Sequence, residues 1–215
     1  MSTAKLIRWS GLISILAGVL YALGALLHPV GEDLGAYANP KWVPAHQVYW
    51  VSAMLMLFGL VGLYARQVEK SGWLGLVGFV LAFIGTAFVG SIFFMASTVL
   101  PLIAAETPAL FDQAAAPPAL GVLVVVLGYI VGYIVFGIAT MRAGVLPRWS
   151  GLLLIIGSAM FLISEAVPLN ASLSHLIVTI GDVIFGAGFV WMGFALWSEK
   201  REPARIASAE ENTAK

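Results

Sequence analysis

Apolar residues occur along this chain in six long runs, each near the length that a membrane-spanning helix requires. The runs lie at about 9–28, 46–66, 73–99, 119–141, 149–167 and 175–197. A hydrocarbon layer about 30 Å thick needs about 20 apolar residues in helical form. Glycines such as Gly128 and Gly132 recur inside the runs at intervals that allow close helix packing. The pattern predicts an all-α integral membrane protein whose residues 1–198 form one bundle of six transmembrane helices.

Composition supports this class and removes several others. Of the 215 residues, 60% are hydrophobic and 10% are charged, and the mean hydropathy is +0.97, which excludes a soluble globular domain and makes the lipid bilayer the main partner. The sequence has no cluster of Lys and Arg residues of the kind that binds nucleic acid. The chain contains no Cys, so thiolate ligands, disulfides and Cys nucleophiles are excluded. Residues 199–215 are polar and are expected to form a solvated cytoplasmic tail.

The basic residues collect on one side of the expected bundle. They precede the first run, separate the second from the third and the fourth from the fifth, and follow the sixth: Lys5, Arg8, Arg66, Lys70, Arg142, Arg148, Lys200, Arg201 and Arg205. Only Lys41 falls on the other side. By the positive-inside rule both termini are cytoplasmic, and the loops 29–45, 100–118 and 168–174 face outward.

A short motif marks the start of each odd-numbered run. Trp9-Ser10-Gly11, Trp73-Leu74-Gly75 and Trp149-Ser150-Gly151 begin these runs, and each run ends near a proline. We interpret this as three helical hairpins with a common plan, either by duplication or because interfacial Trp and terminal Pro are usual in membrane hairpins. The repeat favours a spanning first helix over a cleaved signal peptide. The five-residue identity between 8–12 and 148–152 favours duplication.

One charged residue lies deep inside an apolar run. Asp182 follows His175 by seven residues, so the two share a helix face, with Thr179 between them, and Asp182 lies about 10 Å deeper. An ionised Asp near the middle of a spanning helix costs about 2.5–3.5 kcal/mol on insertion scales. We therefore expect Asp182 to face protein or a watery cavity, either as a protonatable site or as a structural inter-helix hydrogen bond.

Further ionisable residues fall on the predicted outward side. His28 closes the first run, His46 opens the second, His175 opens the sixth, and Glu165 lies one turn inside the end of the fifth. Together with Asp182 and Thr179 they predict an outward-facing polar pocket that binds a ligand or proton. Its expected wall is aromatic: Tyr21, Tyr129 and Tyr133. Each histidine also has an ordinary interpretation as an interfacial residue, and Glu165 could reach the headgroups by snorkelling.

Several functions are consistent with this set. The preferred one is small-molecule or ion binding, with proton-coupled transport centred on Asp182. A structural or accessory subunit without its own chemistry is an alternative, and a homo-oligomer or a membrane-complex partner would suit either. A third is a His and carboxylate enzyme holding a divalent metal through His28, His46 and His175, or a haem between His28 and His46. No HxxxH or HExxH spacing supports a metal, and the absence of a bound cofactor is the default expectation.

The sequence also resembles a known group. The segments LIRWSGLISILAGVLYALGALLHP, WVPAH, GLVGLYARQ and LPRWSGLLLIIGSAMFLI resemble the uncharacterised six-helix bacterial membrane proteins grouped as DUF4386. The resemblance covers most of the apolar region. It implies a multi-pass protein of the bacterial inner membrane and carries over no catalytic residue.

Overall fold

The computed structural model describes residues 2–31, 33–116 and 118–198, except for the side chain of Glu165. The expected polar tail, 199–215, lies outside these residues. Almost all of the described chain is helical and no strand occurs in it, which confirms the all-α class. The α-helices are α1 Thr3–Leu27, α2 Leu34–Tyr37, α3 Trp42–Thr98, α4 Leu100–Glu106, α5 Phe111–Ala115, α6 Ala119–Val124, α7 Gly132–Ala143, α8 Arg148–Ala166 and α9 Ala171–Ser198.

Four of the described helical stretches are long and apolar enough to cross a membrane. They are Thr3–Leu27, Trp42–Glu106, Ala119–Ala143 and Ala171–Ser198, and a shorter apolar helix covers Arg148–Ser164. Many of their large apolar side chains are exposed, including Phe58, Trp73 and Leu120. A water-facing surface with this much exposed apolar area would be unusual. The helices therefore indicate a membrane protein.

The longest helix, α3, folds back on itself at Gly72. Gly72 has φ 55° and ψ −154°, a conformation that glycine adopts readily because it has no Cβ. Residues before and after it then pack side by side: the Trp42 Nε1 donates to the carbonyl oxygen of Ala96 at 2.9 Å, and the Tyr64 and Phe79 rings stack at 4.5 Å. The two arms, 42–71 and 73–98, thus run antiparallel.

The long helices pack through glycine pairs. A Cβ added at Gly18 would overlap the carbonyl oxygen of Gly186, and one at Gly157 would overlap that of Gly181. Such pairs let helix backbones approach closely, as in other membrane bundles. Helix α1 contacts both α9 and α3, and the second arm of α3 contacts α7. Helix α8 lies between α7 and α9. The helices expected to be hairpin partners are therefore in contact.

A π-helical segment, Val125–Val131, joins α6 to α7. A π turn is wider than an α turn and is found mostly as a single turn, often at functional sites. Here it packs on Gly85, where an added Cβ would overlap the backbone of Gly128 and Tyr129. The segment carries Tyr129, one of the expected wall residues, into the buried core. No pattern in the sequence indicates the π turn itself.

Candidate functional site

Asp182 lies near the middle of α9 and is buried. The Tyr49 hydroxyl of α3 donates a hydrogen bond to Oδ2 of Asp182 at 2.6 Å, a length typical of a bond to a carboxylate. Tyr21 of α1 also hydrogen-bonds the Asp182 carboxyl group. Two phenols from two other helices therefore hold this carboxyl group inside the bundle, as the sequence predicted for an Asp facing protein.

The hydrogen-bonded chain continues beyond Tyr21. The Tyr129 hydroxyl of the π-helical segment donates to the Tyr21 hydroxyl at 2.8 Å. Because Tyr21 accepts this bond, its own proton remains available for Asp182. The expected wall residues Tyr21 and Tyr129 are thus linked to the carboxyl group itself.

Tyr133, the third expected wall residue, belongs to a separate hydrogen-bonded branch. Its hydroxyl lies 2.7 Å from Thr86 Oγ1, and Thr86 donates to the carbonyl oxygen of Ala82 at 2.7 Å. Since Thr86 uses its single proton in that bond, Tyr133 donates to Thr86. Tyr133 and Tyr129 meet edge to face with ring centroids 5.0 Å apart.

The three histidines lie together at one end of the bundle. The His28 ring centroid is 4.8 Å from that of His46 and 5.9 Å from that of His175. His28 follows the last residue of α1, while His46 and His175 lie in the first turns of α3 and α9. The sequence placed these residues on one side of the bundle, and the structure brings their rings into contact.

The hydrogen bonds of two imidazoles fix which nitrogen carries the proton. His28 Nδ1 lies 2.7 Å from the carbonyl oxygen of Pro29, and His46 Nδ1 lies 2.9 Å from that of Trp42. A carbonyl oxygen only accepts, so both Nδ1 atoms donate, and Nε2 holds the lone pair of each neutral ring. Burial lowers the pKa of His28 below its ordinary value, which the bond to Pro29 opposes.

Tyr49 connects the histidines to Asp182. Its ring centroid is 6.3 Å from that of His28 and 6.4 Å from that of His46, while its hydroxyl reaches Asp182. Phe93 stacks on its other side at 4.7 Å. Sequence reasoning missed Tyr49, although a signal existed: it follows Trp42 by seven residues and His46 by three, so the three share a helix face.

The other two predicted site residues lie at the same end. Thr179 Oγ1 is 3.5 Å from His175 Nε2, one turn along α9 and on the side that leads towards Asp182. Glu165 lies one residue before the end of α8. Its side chain is outside the described residues, so its predicted partnership with Asp182 stays a prediction.

The geometry bears on the metal and haem interpretations. Among the described residues, no group of three or more His, Asp or Glu side chains is arranged to hold a metal ion. The His28 and His46 rings contact each other at 4.8 Å, which leaves no room for a porphyrin between them. Neither interpretation gains support from the arrangement of these side chains.

Exposure changes along the axis of the bundle. Asp182 and Tyr129 keep 7% and 6% of their side-chain exposure, whereas Tyr133 and Phe189, farther from the histidines, have 0%. His28 and His175 at the end are partly exposed. His28 and His175 are therefore accessible, whereas the core around Asp182 is almost fully enclosed.

The fold thus defines a helical membrane protein in which a buried carboxyl group and its tyrosine partners lie beside three contacting histidines. A scan against protein-family models, a search of curated proteins and a search of solved structures found no match. The resemblance to the DUF4386 group accordingly stays a prediction.

Proposed function

We propose that the chain crosses the bacterial inner membrane six times. The four long apolar stretches, the reversal of α3 at Gly72 and the apolar helix α8 support this number. Both termini would lie on the cytoplasmic side, because the basic residues collect there. At that end the Arg8 guanidinium covers the Trp197 ring at 4.6 Å. The histidines would then face outward.

In this setting the protein binds a small ligand at Asp182 and exchanges a proton there. One observation carries the proposal: the Tyr49 ring packs against His28 and His46, and the Tyr49 hydroxyl donates to Asp182. A carboxylate is costly to bury, and an intramembrane Asp is usually placed for ion or proton handling. The phenol donors stabilise the carboxylate form of Asp182. Protonation would neutralise the carboxyl group without a cationic partner. Such a site suits a proton-linked carrier or receptor.

Infrared spectroscopy of the protein in lipid nanodiscs tests this proposal. We expect a carboxylic-acid carbonyl band that appears reversibly as the pH is lowered through the range in which carboxyl and histidine groups titrate. Asp182→Asn should remove the band. The matched control is Asp112→Asn, which changes an exposed carboxylate of α5 and should leave the band in place.

Two results would contradict the proposal. A carbonyl band that does not respond to pH would show that no proton reaches Asp182. A titrating band that persists in Asp182→Asn would belong to another group. Either result would favour the structural or accessory interpretation of the buried Asp.

A further inference from the structure

The surroundings of Asp182 are aromatic as well as hydroxylated. The Tyr21 ring meets Tyr49 edge to face at 5.1 Å and lies 5.3 Å from Phe185. Tyr129 lies 5.7 Å from Phe185 on the other side. One carboxyl group is thus surrounded by ring systems from four segments of the chain.

The hydrogen-bond partners of Asp182 are neutral phenols. They orient the carboxylate but do not compensate its charge. Compensation of the charge requires either a proton or a cation, and the low-dielectric setting makes that requirement stronger than it would be in water. Asp182 and Tyr129 keep 7% and 6% of their exposure, whereas Tyr133 keeps none.

From this combination we infer that the ligand is a small organic ammonium ion. This inference rests on the proposed ligand-binding function and names its substrate class. An ammonium group would pair with the Asp182 carboxylate while its carbon substituents lie against aromatic faces, which attract cations through the ring quadrupole. The histidine cluster, defined by His28, His46 and His175, would form the entrance.

Other ligand classes fit these side chains less well. An anion would be repelled by the carboxylate. A bare divalent cation needs several converging oxygen or nitrogen ligands, and the described residues offer no such group. A neutral polyol needs many hydrogen bonds, whereas most of the wall consists of rings. The aromatic and singly charged character of the site therefore favours an organic cation.

Isothermal titration calorimetry in nanodiscs tests the inference with three probes that share a phenyl ring and differ in charge. They are benzylammonium, benzyl alcohol and benzoate. We expect saturable binding of benzylammonium above the empty-nanodisc signal, at least tenfold tighter than that of benzyl alcohol, and no binding of benzoate. Asp182→Asn should weaken benzylammonium binding at least tenfold. Tyr49→Phe, which keeps the ring and removes the donor, should weaken it several-fold, and Asp112→Asn should leave it unchanged.

Absence of benzylammonium binding, equal binding of benzyl alcohol, or equal affinity in Asp182→Asn would each overturn the inference. Elution of each variant as a single species on size exclusion confirms that it is folded, and Tyr49→Phe provides a milder second variant. Failure here is distinguishable from failure of the proposed function. A protein whose Asp182 band titrates but which binds no ammonium keeps its proton-exchanging site and loses only the ligand class.

Discussion

Two buried polar groups in opposite halves of the bundle differ in how they are partnered. Asp182 accepts a hydrogen bond from Tyr49, whose ring packs against the partly exposed His28. Gln67, in the first arm of α3, donates from Nε2 to Thr140 Oγ1 of α7 at 3.0 Å, and both residues are fully enclosed. Gln67 Oε1 has no hydrogen-bond partner among the described residues.

This difference separates two uses of polarity inside a membrane protein. The Gln67 and Thr140 pair is neutral, closed and confined to two helices, as expected of a bond that only holds helices together. The Asp182 network is ionisable, involves several segments of the chain and lies beside the partly exposed histidines. The proposed function therefore predicts that the two groups respond differently to substitution.

The largest expected effect on stability lies in the closed pair. Thr140→Val removes the acceptor of a buried amide proton and should lower the free energy of unfolding by about 1–3 kcal/mol. The double variant Gln67→Leu with Thr140→Val should recover most of this loss, because no buried donor then lacks a partner. Unfolding in mixed micelles measures both.

Thr98→Val is the matched control for this change. Thr98 is a partly exposed threonine whose hydroxyl donates within its own helix to the carbonyl oxygen of Phe94. Its variant should stay within about 0.5 kcal/mol of the wild type. If the double variant were as unstable as Thr140→Val alone, the pair would have a role beyond joining α3 to α7.

A smaller effect distinguishes two neighbouring tyrosines. Tyr129→Phe and Tyr133→Phe each remove one buried hydrogen bond and should each lower stability by about 1 kcal/mol. Only Tyr129→Phe should change the infrared carbonyl band of Asp182, since only Tyr129 donates to Tyr21. An equal spectral change in both variants would mean that the Thr86 branch is not separate.

The smallest effect is a pH dependence at the histidine end. Burial lowers the pKa of His28, so the unfolded chain binds this proton more readily than the folded one. Stability should therefore fall as the pH drops below about 6.5, and the loss is complete below the lowered pKa. His28→Asn, which retains a donor for the Pro29 carbonyl, should show a shallower fall in melting temperature.

Lys41→Gln serves as the control for His28. Lys41 lies at the same end of the bundle and is basic like His28, but it has no imidazole. Its variant should keep the wild-type pH dependence. A His28→Asn profile that matches the wild type would assign the pH dependence to other groups.

Much of the helical arrangement could be predicted from hydropathy, because length and apolar content decide which segments can span. The expected run 175–197 lies inside α9, and 149–167 nearly coincides with α8. The positions of the helix ends were harder to predict from the sequence. The structure begins α3 at Trp42 and keeps 67–71 helical, because the buried Trp42 and the glycine reversal extend the helix into polar sequence.

The candidate site was predictable in part. Asp182 was found because a charge inside an apolar run is costly and therefore conspicuous. The histidines were found because all three lie at run ends on one predicted side. Tyr49 was missed because a tyrosine in an apolar run is ordinary and only its contacts distinguish it. The bond between Tyr129 and Tyr21 joins residues 108 positions apart, and no local pattern in one sequence contains that information.

The π-helical segment has a consequence for how side-chain directions along the apolar stretch Ala119–Ala143 are assigned. Each residue of an α-helix advances the direction of its side chain by about 100°, and one wide turn holds an additional residue. The part before Val125 is therefore rotated by about that angle relative to an uninterrupted extension of α7. An assignment of lipid-facing positions that counts backward from Gly132 will point α6 in the wrong direction. The angular phase of this span must be counted separately on each side of the wide turn.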